Sequence, residues 1–218
     1  MVDPVSLTVS VLALAVSATT AWLTLFRRGT VRMTPPTVIY FGPDAPRPGR
    51  ATQLPKVYLR TLLFATSKRG RIVESMHVEL HCNETHQSFN IWVHGDQKLV
   101  RGSGLYVGET GIGAEHHFLT PDDDNNFQYV AGKYRLEVFA HLLGDEQSKL
   151  LFSQDLEITT EIADALKKKQ AGVYFDRGAR SKAYIPHLDS REALDAVAIR
   201  ALATHLSGGQ GSQPEKSV

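Results

Sequence analysis

The chain has 218 residues, of which 42% are hydrophobic and 22% charged, with 24 Lys and Arg against 23 Asp and Glu for a formal net charge of +1. Such a composition supports a packed core and excludes wholesale disorder. The near-neutral balance argues against a nucleic acid partner, and the lone Cys82 excludes an internal disulfide framework or a cysteine-based zinc cluster.

Residues 5–26 carry no charge over 22 consecutive positions and run into Arg27 and Arg28. As a helix such a run spans about 33 Å, enough for a hydrocarbon core of about 30 Å. Residues 1–29 therefore read as a transmembrane anchor. Trp22, Arg27, Arg28 and Arg32 are its expected membrane-interface residues, and the arginine flank predicts a single-pass protein of bacterial type, held in the inner membrane with its body in the cytoplasm. A cleaved secretory signal is the competing reading, but the leading Met-Val-Asp-Pro lacks a basic residue and the apolar run is long for one. Ala13, Ser17 and Ala21 recur every four residues, a small-residue stripe suited to helix pairing.

Charge is segregated. Residues 27–71 hold ten basic residues and one acid, residues 72–165 hold 16 acids and five bases, and the remainder is again basic. A basic segment beside the anchor suits anionic lipid. Residues 30–55 contain six prolines and read as a Pro-rich basic linker with one edge strand at 37–41.

From 56 to 160 short β-favouring runs alternate with turn residues. The runs are 56–65, 71–82, 88–94, 99–100, 105–107, 114–119, 133–143 and 149–160, the last two joined by a Gly144–Ser148 hairpin loop. Within 71–82, Met76, Val78, Leu80 and Cys82 fall on one face and His77, Glu79 and His81 on the other. The expected fold is mainly β, an antiparallel sandwich.

The stretch Ala131-Gly-Lys-Tyr-Arg-Leu-Glu-Val138 resembles the penultimate strand of immunoglobulin-like and fibronectin-type domains. The resemblance implies an immunoglobulin-like β-sandwich with Tyr134 as the corner tyrosine and Leu136 and Val138 in the core. Leu136 stands where antibody-type domains carry a core cysteine, so no inter-sheet disulfide is implied.

Residues 161–206 read as a C-terminal helical extension. It comprises a short helix at 161–170, a short strand at 173–175, and a helix at 190–206 whose Leu194, Val197, Ala198, Ala201 and Leu202 share a face. Residues 207–218 form a polar tail expected to be disordered.

No nucleophile elbow, Walker loop or EF-hand pattern occurs. His77, Glu79 and His81, with His116 and His117 approaching from another strand, form a candidate metal set; the competing reading makes the trio the solvent face of its strand. The glycines between 102 and 113 read as turns and a bulge, and residues 122–126 as a solvated acidic loop. Cys82 falls on the apolar face, where a thiol is inert. The expectation is a non-catalytic, membrane-anchored protein-binding or assembly module without a cofactor. Its partners are the lipid bilayer and either another protein or a second copy, met through the anchor, a sheet edge or the C-terminal helix. The alternatives are an exported periplasmic ligand-binding domain and a membrane-tethered metal-dependent enzyme using the strand histidines.

Overall fold

The computed structural model describes residues 3–26, 28–45, 53–95, 100–102, 104–121, 127–167 and 171–190. Helix α1 (Pro4–Ala21) opens where the Asp3 side chain accepts the Val5 N–H at 3.2 Å and Pro4 sits in the first turn, where its missing N–H is no loss. A π-helical turn, Trp22–Phe26, prolongs it. No residue of α1 is buried, and apolar side chains ring it rather than lining one face. The hydroxyls of Thr8, Ser10, Thr20 and Thr24 donate to carbonyls four residues back at 2.7–2.8 Å. Those bonds remove the cost of unsatisfied hydroxyls in an apolar medium. The helix is long and apolar enough to cross a membrane.

The strands are β1 (Val31–Met33), β2 (Val38–Pro43), β3 (Pro55–Ala65), β4 (Arg71–Cys82), β5 (Thr85–Phe89), β6 (Ile91–Gly95), β7 (Val100–Arg101), β8 (Leu105–Val107), β9 (Ile112–Leu119), β10 (Gly132–Leu142), β11 (Lys149–Ile158), β12 (Ala171–Arg177) and β13 (Tyr184–Ser190), with α2 (Thr160–Lys167) between β11 and β12. Among the described residues they form two antiparallel sheets. The larger has the order β13-β12-β2-β3-β9-β6-β7 with β1 also beside β3; the smaller has β11-β10-β4-β5 with β8 also beside β4.

Alternation places the core between them. Met76, Val78 and Leu80 of β4 and Leu136 and Val138 of β10 are buried in one cluster with Ile39, Phe41, Leu59, Phe118 and Phe175 of the larger sheet. Cys82 is buried on the same inner face. α2 closes one side through Ile162, Ala163 and Leu166. The Tyr134 hydroxyl accepts the Val130 N–H at 2.8 Å and donates to the Val130 carbonyl at 3.0 Å.

The sheet reaches beyond residues 56–160 at both ends. Within the stretch read as a linker, β1 and β2 lie end to end along β3. Pro35 and Pro36, which have no N–H to donate, fall in the gap. There the register slips, with five steps from Met33 to Val38 against three from Leu63 to Arg60. At the other end β12 and β13 extend this sheet past β2, although the sequence patterning indicates only a short strand at 173–175. The run 88–94, expected as one strand, divides at Asn90: β5 pairs with β4 in the smaller sheet and β6 with β9 in the larger. Of the predicted helix at 190–206 only Ser190 is described, and it ends β13; the rest of that helix, the acidic loop at 122–126 and the tail at 207–218 lie outside the described residues.

Candidate functional site

The segment that follows α1 meets the body through a set of hydrogen bonds. Arg71 donates through Nη1 to the Gly29 carbonyl and through Nη2 to the Leu143 carbonyl, both at 3.2 Å, and pairs with Asp145 Oδ1 at 2.6 Å. Thr30 N–H donates to Thr66 Oγ1 and Thr66 N–H to the Thr30 carbonyl, each at 2.8 Å. Beside this joint Arg28, Arg69, Arg71, Ile72, Tyr106 and Leu143 line an open hollow of about 420 Å³. Tyr106 is 61% exposed and Leu143 52%, so cationic and apolar groups share this end of the body.

Of the expected interface residues, Trp22 is exposed and stacks on Phe26 at 5.7 Å, Arg28 borders the hollow, and Arg32 points outward from β1. Arg27 lies outside the described residues. In the small-residue stripe Ala13 and Ser17 are exposed and Ala21 is half-buried.

The second assembly is the outer face of the smaller sheet. His77, Glu79 and His81 project from it as alternation requires, because Met76, Val78, Leu80 and Cys82 fill the core. Register adds neighbours that sequence spacing did not reveal: His86 of β5 stands opposite His81, and Glu137 of β10 opposite Glu79. Glu79 Oε2 lies 3.5 Å from His86 Nε2 and 3.7 Å from His81 Nε2, while its Oε1 lies 3.7 Å from His77 Nε2. Glu137 Oε2 lies 3.6 Å from His81 Nε2. One ligand atom each from Glu79, His81 and His86 falls within 4.8 Å of the other two. His77 stands slightly apart, stacked on Phe139 at 5.1 Å; burial lowers its pKa, and Glu79 opposes that shift. Alongside runs an open groove of about 710 Å³ bordered by His81, Lys133, Arg135, Asp155 and Tyr184.

His116 and His117 do not join this face, because β9 belongs to the other sheet. His116 turns inward between the sheets and is fully buried, and its Nδ1 accepts the Trp92 indole N–H at 3.1 Å. Burial, reinforced by His94 and His117, pushes its pKa down to about 3. His117 turns outward against Tyr58 at 4.8 Å, continuing a row in which Tyr174, Tyr40, Tyr58 and His117 stand in register across β12, β2, β3 and β9.

A hollow lined by Gly42, Pro43, Phe127, Tyr129 and Leu166 holds about 70 Å³, small beside the roughly 300–1,000 Å³ of small-molecule sites. The geometry therefore offers a two-sheet body behind an exposed apolar helix, with exposed β faces and a convergent histidine–carboxylate cluster. No family model matches this chain and no curated protein is similar to it, so function has to be read from these arrangements.

Proposed function

We propose that this chain is a single-pass protein of the bacterial inner membrane, its body in the cytoplasm, where an immunoglobulin-like sandwich serves as a non-catalytic protein-binding or assembly module. The observation that carries the reading is α1: no residue of this apolar helix is buried against the body, and a lipid interior is the medium that suits such a surface. Arginines at the anchor-proximal end support the orientation, since positive flanks stay cytoplasmic and gain on the order of 1 kcal/mol each near anionic lipid. Tyr106, Ile72 and Leu143 add apolar tips at the same end. The Tyr134 corner bond supports the immunoglobulin-like assignment. Sheet edges supply the means of binding. Among the described residues β13 ends the larger sheet, with Ile185 and Leu188 exposed, and an edge strand can pair with another chain.

A carboxyl-terminal fusion to a reporter active only outside the cytoplasm tests the topology. Reporter silence with the full-length chain in the membrane fraction is the expected result; an active reporter, or a chain shortened near residue 18, points to an exported domain. Cross-linking in intact membranes tests the module, with a discrete adduct expected and a monomer alone counting against it.

A further inference from the structure

We infer that Glu79, His81 and His86 form a binding site for a zinc-class divalent metal ion on the outer face of the smaller sheet, with an open fourth position beside Glu137. The separations are the first argument. At 3.5–3.7 Å the contacts from Glu79 Oε2 to the two imidazole nitrogens and from His81 to Glu137 are too long for hydrogen bonds. Ligand atoms bound at about 2.0–2.2 Å in a tetrahedron stand roughly 3.3–3.6 Å apart, so the two edges from Glu79 already approach that spacing.

Convergence is the second argument. His141–Glu74 and His187–Asp176 show similar separations, 3.4 and 3.6 Å, but each is a lone pair. At Glu79 the side chains of two strands meet, and β10 brings a second carboxylate. Like charges directly opposite across a ladder destabilise a sheet. Among the described residues neither Glu79 nor Glu137 pairs with a lysine or arginine, and histidines are their partners. A dication bound through the imidazole lone pairs would offset both carboxylates at once.

Access is the third. The His81 and His86 side chains are 40% and 49% exposed, so an ion can enter without rearrangement of the core. Two imidazoles and one carboxylate form a donor set that zinc accepts, and three protein ligands leave one position for water. Glu137 Oε2, 3.6 Å from His81 Nε2, borders the cluster.

Zinc titration of the chelator-stripped full-length protein in detergent micelles, followed by calorimetry and by thermal unfolding, tests the site. One zinc per chain is expected, with a raised unfolding temperature. His81→Ala and His86→Ala should each lose more than the roughly 10–100-fold in affinity that removal of an outer-shell partner costs. Glu79→Gln, which keeps shape, should weaken binding while circular dichroism stays unchanged, and His187→Gln should bind as the parent does. Cobalt substitution should give the intense visible bands of a low-coordinate site. Absence of stoichiometric binding, or binding equally tight in the His81 and His86 variants, overturns the assignment.

Discussion

Trp92 donates its indole N–H to Nδ1 of His116 across 3.1 Å, in the space between the sheets. The bond requires the neutral imidazole with its proton on Nε2, because protonation at Nδ1 removes the acceptor. Burial, with His94 and His117 nearby, pushes the His116 pKa down to about 3 in the folded chain, against about 6.5 when unfolded. Above pH 6.5 both states are neutral here and stability is flat. As pH falls from about 6.5 toward 3 the unfolded chain takes up a proton that the folded chain does not. Stability is lost over that window at up to about 1.4 kcal/mol per pH unit for this group. Chemical denaturation at a series of pH values should show the acid limb, and His116→Leu should flatten it. The same variant strands the Trp92 donor and should cost about 1–3 kcal/mol at pH 8. An unchanged acid limb in the variant contradicts this assignment.

Tyr134→Phe removes a hydroxyl that serves both the N–H and the carbonyl of Val130. The ring remains in the core, so the loss is confined to the hydroxyl's bonds with Val130 and its contact with the Cys82 thiol. A destabilisation of about 1–3 kcal/mol is expected from the partners left unpaired, read from the urea midpoint with an unchanged slope. A shift within a few tenths of a kcal/mol would make the corner bond dispensable.

Gly172→Ala tests close packing on the outer face of the larger sheet. A Cβ at either Gly42 or Gly172 would run into the Tyr40 ring, which lies over both glycines and against Tyr174 at 4.7 Å. The ring is buried and cannot swing away freely. Overpacking of this kind costs typically about 1–3 kcal/mol. Tyr40→Ala combined with Gly172→Ala should be milder than the sum of the two single changes, and thermal unfolding of the four proteins measures that coupling.

Arg71→Ala should loosen the joint between anchor and body. It removes donors to the Gly29 and Leu143 carbonyls and the partner of Asp145. Faster hydrogen exchange is expected at the amides of Thr30 and Thr66, with the β10 amides unaffected. Equal protection in variant and parent would mean that the threonine pair alone holds the joint.

Much of the architecture is legible in residue order. The alternation of 71–82 fixes which side of β4 is core, and the long uncharged run marks α1. What escapes is pairing at a distance. Pro35 and Pro36 break the β pattern locally, yet the chain rejoins β3 two residues out of step, so β1 ahead of them reads as linker, and the strand legible at 37–41 reads as an edge although β12 and β3 flank it. Asn90 looks like a residue within one strand, although the segments on either side of it enter different sheets. In the histidine face, the trio on β4 is visible from spacing. His86 and Glu137 come from neighbouring strands, and cross-strand register is not written in sequence separation. Likewise nothing local separates His116, which turns inward, from its neighbour His117, which turns out.

The crossing at Asn90 has a mechanical side. Phe89 and Ile91 stand two residue steps apart, about 7 Å of chain at most, whereas facing sheets usually lie about 10 Å apart. At this hem the two layers are stitched by continuous backbone, which limits how far one can move from the other there.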